Sequence, residues 1–248
     1  MKISVITVTW NSERTLEDTI QSLRTQSYSN VEYIVIDGNS TDHTMNIIED
    51  NRNIIDRVVS ENDSGIYDAL NKGISLATGD VVGFLHSDDT FAHNDVLKHV
   101  ASLFVQSQSD SIYGDLNYVT KNDPTRVIRK WRSGEFSRDK FLNGWMPPHP
   151  TFYMKRNLYL KYGFFDLNYK IAADYDSLLR YLWKHRVSAV YLPEVLINMR
   201  VGGESNRSVK NIIRKSKEDI QSMRLNGLPT VRALLGKNIS KIPQFFTK

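Results

Sequence analysis

Asp80-Val-Val-Gly-Phe-Leu-His-Ser-Asp-Asp89 is the stretch on which the fold turns. Val81, Val82, Phe84 and Leu85 make a short apolar run, the pattern of a strand buried on both faces of a sheet. The run stops at His86, and the carboxylates of Asp88 and Asp89 follow side by side. In open α/β sheets ligands bind outside the carboxyl ends of the strands, so this pair belongs at the mouth of the sheet. Adjacent carboxylates repel unless they share a cation, and a hard divalent ion bridging to phosphate oxygens meets that need. The same residues also fit a polar turn in which Asp89 or Thr90 caps the next helix.

Upstream of this stretch the elements alternate. Ile3, Val5, Ile6 and Val8 predict a first strand, and Ser12 stands as the N-cap of a helix carrying Leu16, Ile20 and Leu23. Val31 to Ile36 predicts a second strand, after which Asp42 is placed to cap a helix with Met45, Ile47 and Ile48. Arg57 to Ser60 is a short third strand, and Ile66, Ala69, Leu70, Gly73, Ile74 and Ala77 recur at helical spacing. This β-α-β-α-β-α-β order implies an α/β class and a doubly wound, mostly parallel sheet. A nicotinamide-binding sheet is the first thought, but there is no G-x-G-x-x-G and no Walker A sequence, so the expected ligand is a nucleotide held by something other than a glycine-rich loop.

Downstream of a helix through Val96, Val100 and Phe104 the pattern changes. Ser111 to Val119 and Thr125 to Trp131 read as antiparallel strands around the turn Lys121-Asn-Asp-Pro124. A helix over Ala173 to Lys184, strands at Val187–Leu192 and Val195–Val201, a hinge at Gly202-Gly203 and a basic helix from Arg207 to Leu225 complete the chain. The expected division is a body over 1–205, with a nucleotide-binding half at 1–105 and a half with a small antiparallel region at 106–205, followed by a helical extension at 206–248.

The composition is that of a water-soluble globular domain, 40% hydrophobic and 24% charged in 248 residues. No cysteine is present, which excludes disulfides and thiolate metal sites. No stretch approaches the roughly 20 apolar residues that cross a bilayer, and the start of the chain lacks a signal-peptide pattern, so a cytoplasmic protein is expected. Net charge is +4, yet residues 207–248 hold ten Lys/Arg against Glu218 and Asp219, 10 − 2 = +8, leaving 4 − 8 = −4 for the body. Such a tail suits phosphates or anionic lipid heads, or is simply a solvated helical face, and the acidic body argues against nucleic acid.

Several residues carry candidate chemistry. Asp37 ends the second strand, where a carboxylate meets the ribose or base edge of a nucleotide. The segment Glu61-Asn-Asp-Ser-Gly-Ile-Tyr-Asp68 enters a helix with groups suited to a diphosphate, or with Asp63 or Ser64 as a plain N-cap. Asp174 opens a helix without a basic residue four positions on, which suits a general base. Asp176 and Arg180 are spaced for a salt bridge. His149, among Pro147, Pro148 and Pro150, sits in a stiff loop and either touches ligand or is satisfied locally.

Taken together, six segments resemble the family 2 glycosyltransferases of the GT-A fold: Ser4-Val-Ile-Thr-Val-Thr-Trp-Asn11, Asp37-Gly-Asn-Ser-Thr-Asp-His-Thr44, Glu61 to Gly73, Ala77-Thr-Gly-Asp80, Ser87-Asp-Asp89 and Ala173-Asp-Tyr-Asp176. The resemblance covers about residues 1 to 205 and points to the subgroup that builds bacterial surface polysaccharides such as O-antigen, capsule or colanic acid. It implies an inverting, metal-dependent transfer from a nucleotide-sugar, expected to be a UDP-sugar, to a glycan or a polyprenyl-diphosphate-linked acceptor at the inner face of the membrane. Asp37, with Thr9 and Asn11, would meet the nucleoside, and Asp63, Tyr67, Lys72 and Asp88 would line the donor. Asp89, with Asp88, would hold Mn2+ or Mg2+, and Asp174 would be the base with Asp176 as its rival. Arg200, in the loop Met199 to Asn206, would contact phosphate. Position 173 is Ala where relatives carry Glu, so Asp174 lacks an acidic neighbour. A sugar-nucleotide nucleotidyltransferase and a non-catalytic sugar-nucleotide-binding scaffold are the alternatives.

Overall fold

Alternation along β1 (Ile3–Thr9) lays out the core. Successive strand side chains point to opposite faces, so Ile3 and Val5 enter one apolar layer while Ile6 and Val8 enter the other. β2 (Val31–Asp37) lies parallel to β1 and divides the same way, Tyr33 and Val35 against Ile34 and Ile36. β3 (Arg57–Ser60) adds to β2, and β4 (Val81–Phe84) adds to the other side of β1, both in parallel. The structure, a computed structural model, describes residues 1–202, 209–230 and 233.

The helices follow the two layers. α1 (Leu16–Arg24) and α2 (Thr44–Asp50) bury Leu16, Ile20 and Ile48 on one face of the sheet, and α3 (Ile66–Leu76) buries Ala69, Leu70 and Ile74 on the other. α3 comes so close to β1 that a Cβ on Gly73 would lie 2.4 Å from Ile6 Cγ2. His43 takes the N-cap position of α2, and Asp42, expected there, lies one residue further out with its carboxylate accepting the Thr44 N–H at 3.0 Å. Ser12 does not cap α1. Thr15 takes the N-cap position, and the Ser12 hydroxyl faces Ser87 at 3.0 Å. The acidic pair after β4 caps nothing either, because β5 (Thr90–Phe91) intervenes and α4 (Val96–Ser107) starts behind Asp95.

The second half continues the same sheet. β6 (Ser111–Val119) and β7 (Val127–Trp131) pair antiparallel, and β8 (Tyr153–Lys155) runs antiparallel between β4 and β6. α5 (Arg156–Tyr162) follows, then α6 (Ala173–Leu178), which passes into a π-helical turn over Leu179–Lys184. β9 (Ala189–Arg200) lies parallel to β6 on one side and antiparallel to β5 on the other. The order is β3-β2-β1-β4-β8-β6-β9-β5, with β7 on β6. The antiparallel strands are therefore inserted into the nucleotide-type sheet and not set apart from it.

The two strands expected at Val187–Leu192 and Val195–Val201 are one strand. Pairing with β6 runs through Tyr113↔Tyr191 and resumes at Asp115↔Val195, so β9 bulges over Leu192-Pro193-Glu194. Pro193 cannot donate to the ladder, and the bulge is where it is tolerated. A Cβ on Gly114, opposite, would meet Leu196 Cγ at 2.6 Å and the Glu194 carbonyl at 2.9 Å.

α7 (Val209–Leu225) is not a free-standing extension. Met223 and Ser222 are wholly buried, and Glu218 and Asp219 nearly so, against α6 and the chain before it. Residues 203–208, with Arg207 among them, lie outside the described residues, as do the side chain of Lys210 and most of the chain beyond 230. Among the described residues no helix is long and apolar enough to cross a membrane.

Candidate active site

The ends of β1, β2 and β4 open on the same side of the sheet. Asp37 is fully buried, and its carboxylate accepts the Ser40 N–H at 3.0 Å, the Ser40 hydroxyl at 2.5 Å and the Ser60 hydroxyl at 2.6 Å. The side chain expected at the nucleoside thus points inward and shapes the loop through Ser40. Asn11 adopts φ 49°, a left-handed conformation that Asn tolerates. From there its Oδ1 accepts the Thr41 N–H at 2.9 Å, and its own N–H donates to Ser40 Oγ at 2.8 Å. Thr9 Oγ1 is buried without a hydrogen-bond partner among the described residues. Asp63 reaches over Gly38, where a Cβ would sit 2.7 Å from its Oδ2. Lys72 ion-pairs with Glu61 at 2.8 Å and donates to the Asn62 carbonyl at 3.0 Å, both in the segment that follows β3.

The acidic turn places its carboxylates in unlike surroundings. Asp88 is exposed, whereas Asp89 is 1% exposed. Asp89 Oδ1 accepts the Arg200 N–H at 3.3 Å, and Oδ2 is buried without a partner among the described residues. Burial, reinforced by the Asp88 charge, pushes the Asp89 carboxyl well above the usual carboxylate range. A buried, orphaned carboxylate oxygen beside an exposed carboxylate fits a hard divalent cation, which would satisfy the first and bind the second.

Arg200, expected at phosphate, lies behind this turn. It is 6% exposed, donates to the Asp88 carbonyl at 2.8 Å and pairs with Asp18 at 2.5 Å. The reason is the sheet: β9 pairs with β5 at Thr90↔Asn198, which carries the end of β9 beneath the Asp88-Asp89 turn.

Across from the turn stand α3 and α6. Tyr67 of α3 donates to the Ile171 carbonyl at 2.7 Å, and its hydroxyl lies 3.4 Å from Asp174 Oδ1 in the first turn of α6. Asp174 is half-buried. Asp176 faces elsewhere: it accepts from Ser222 at 3.1 Å and Asn226 at 2.9 Å and pairs with Arg180 at 3.9 Å. Burial raises its carboxyl despite those partners. His149 is 7% exposed, stacks on Phe84 at 5.2 Å and is pushed down to about 3 by burial, so it stays neutral and belongs to the wall.

Two residues not singled out in the sequence join the site. His86 has a buried Nδ1 without a partner among the described residues, and while burial lowers its pKa, the charges of Asp88 and Asp174 both raise it. Its position directly after the apolar run of β4 was the available signal. Glu218, on α7, accepts the backbone N–H groups of Lys170, Ile171 and Ala172 at 2.8 to 3.2 Å, holding the chain that enters α6 and Asp174. Nothing local in the sequence links positions so far apart.

The family model described as Glycosyl transferase family 2 matches residues 4–169. The chain belongs to this family. Asp174, Asp176 and Arg200 lie beyond the matched residues. Among relatives, a PGL/p-HBAD biosynthesis glycosyltransferase of Mycobacterium bovis is 32% identical over 214 residues, covering 83% of this chain and 80% of the relative. An uncharacterized glycosyltransferase of Mycobacterium tuberculosis is 35% identical over 182 residues, 72% of this chain and 68% of that one. Of solved structures, S. aureus TarS 1-349 in complex with UDP superposes with TM-score 0.71 at 21% identity, covering 97% of this chain and 71% of that one. A longer TarS chain is spanned over 39% of its length, with TM-score 0.70 and 23% identity. The mannosyltransferase PcManGT of Pyrobaculum calidifontis, in complex with GDP-Man and Mn2+, gives TM-score 0.68 at 18% identity over 96% of this chain and 70% of that one. The fold is therefore GT-A and the protein a glycosyltransferase.

Proposed function

We propose that this family 2 glycosyltransferase moves a sugar from a nucleotide-sugar, a UDP-sugar in the first instance, to a hydroxyl of a glycan or polyprenyl-diphosphate-linked acceptor in bacterial surface polysaccharide synthesis. The observation that carries the reading is the buried, orphaned Asp89 Oδ2 beside exposed Asp88 at the end of β4, with Asp174 across the opening. Asp89 and Asp88 would hold Mn2+ or Mg2+. Bound there, the ion would offset the negative charge that develops on the departing nucleoside diphosphate. Thr9, Asn11 and the Gly38 to Thr41 loop, organised by Asp37, form the nucleoside side, and Asp63 borders them.

Asp174 takes the acceptor proton. As it does, the acceptor oxygen bonds to the anomeric carbon, the bond from that carbon to the diphosphate oxygen breaks, and attack from the opposite face inverts the configuration. The Tyr67 hydroxyl, 3.4 Å from Asp174 Oδ1, lines the same side of the opening. Asp176 is spoken for by α7 and does not share this role.

Thermal shift with UDP-, GDP- and dTDP-sugars, with and without Mn2+, tests the reading. A donor at 100 times its dissociation constant stabilises the fold by about 2.7 kcal/mol. We expect a metal-dependent shift with one donor class, lost in Asp89→Asn. Asp174→Asn should keep the shift and lose turnover by about 100-fold or more. Absence of a shift with every one of these sugar nucleotides, with and without metal, would overturn the nucleotide-sugar donor reading.

A further inference from the structure

His93, His99 and Glu194 converge on one point well away from the acidic turn. His99 Nδ1 lies 2.7 Å from Glu194 Oε2, and His93 Nε2 lies 3.5 Å from the same oxygen. The two imidazoles are 5.7 Å apart, and one donor atom from each residue fits within 4.8 Å of the others. The side chains are 39%, 39% and 35% exposed and border an open cavity of about 570 Å³ that Asn117, Asn198 and Arg132 also line.

The three residues come from separate elements. His93 lies between β5 and α4, and His99 lies in the first turn of α4. Glu194 stands on the β9 bulge, the kind of irregularity that re-aims a side chain. Glu194 precedes Arg200 by six residues and His93 follows Asp89 by four, which at about 3.3 Å per residue sets the cluster roughly 13 to 20 Å from the Asp89 turn. A cation at one place cannot touch a ligand at the other.

We propose that His93 Nε2, His99 Nδ1 and Glu194 Oε2 bind a divalent ion of the zinc class. Ligand bonds of about 2.0 to 2.2 Å set tetrahedral edges of about 3.3 to 3.5 Å. The His93–Glu194 separation already has that length, and the His99–Glu194 contact opens by less than an ångström. On binding, the His93 proton sits on Nδ1, where the long 3.3 Å contact from the Asp95 N–H gives way. The Asp95 carboxylate is near enough to feel both imidazoles and supplies a neighbouring anion. Three protein donors leave a fourth position open to the cavity. Two imidazoles favour Zn2+ over Mg2+ or Mn2+, whereas the all-oxygen pair at Asp88 and Asp89 favours the harder ions. The bound ion ties α4 and the chain before it to β9, the strand that ends beneath Asp89.

The test is Zn2+ and Co2+ binding by the full chain carrying Asp89→Asn, which removes the acidic turn as a competing site. We expect one equivalent of Zn2+ and a visible Co2+ absorption of four-coordinate type, both unaffected by an excess of Mn2+. His99→Gln and Glu194→Gln, exposed positions checked for folding by circular dichroism, should each weaken binding by at least about tenfold. Absence of the Co2+ absorption in both the wild-type and the Asp89→Asn chain overturns the proposal. So does binding that the His99→Gln, Glu194→Gln double variant leaves unchanged.

Discussion

Glu32 shows how a carboxylate is made structural. It is nearly buried on β2, and burial alone would raise its pKa. Hydrogen bonds from Ser4 Oγ at 2.5 Å, the Thr78 N–H at 2.7 Å and the Thr78 hydroxyl at 2.6 Å, with Lys2 nearby, bring it down instead to about 2. A carboxylate with a lowered folded-state pKa stabilises fully above its unfolded value near 4.5 and loses that contribution as pH falls through about 2. Glu32→Gln should therefore cost about 2 to 3 kcal/mol at pH 7 in urea unfolding. The gap to wild type should narrow steadily below about pH 4.5. Asp89 is the opposite case: burial raises its carboxyl and one oxygen has no partner among the described residues, the signature of a residue kept for binding.

At the scale of elements, two contacts decide whether the site assembles. The first is α3 on β1. Alanine at Gly73 would gain about 1 kcal/mol of helix propensity. It would also drive a Cβ to 2.4 Å from Ile6, itself buried and unable to yield, and overpacking of that kind costs about 1 to 3 kcal/mol. Overpacking wins, and we expect Gly73→Ala to lower the melting temperature by a few degrees. The second is α7 on α6. Glu218→Gln offers one acceptor oxygen where three backbone N–H groups converge. It should reduce turnover by about tenfold while leaving donor affinity intact, at a stability cost of about 1 to 3 kcal/mol. Equal loss of turnover and donor affinity would show that Glu218 supports the whole cleft and not the approach of Asp174.

For the molecule as a whole, the basic extension is fastened through α7 by its buried acidic side, which leaves the rest of the helix outward. Ile212 and Ile213 are more than half exposed, next to exposed Arg214 and Lys217. An apolar pair among cations suits an anionic lipid surface, each Lys or Arg adding on the order of 1 kcal/mol near it. Cosedimentation with phosphatidylglycerol vesicles at low salt should detect binding that high salt or Ile212→Ser with Ile213→Ser removes. Equal binding to neutral vesicles would rule out attachment through charge.

The parallel half of the fold was legible because strand and helix periodicities are local. The runs at Ile3, Val31, Arg57 and Val81 and the stripe from Ile66 could each be read within a dozen residues. The acidic pair was legible for the same reason, since it directly follows an apolar run. What sequence alone did not determine was direction and partnership. Asp37 turns toward Ser40 and Ser60, Arg200, expected at phosphate, lies beneath the acidic turn, and Lys72 pairs with Glu61. The continuity of β9 across Pro193, the hold of Glu218 on the chain before Asp174, and the meeting of His93, His99 and Glu194 likewise join residues far apart in the chain. A side chain's type is local, but its neighbours depend on strand order and helix packing, and these exist only once the sheet is complete.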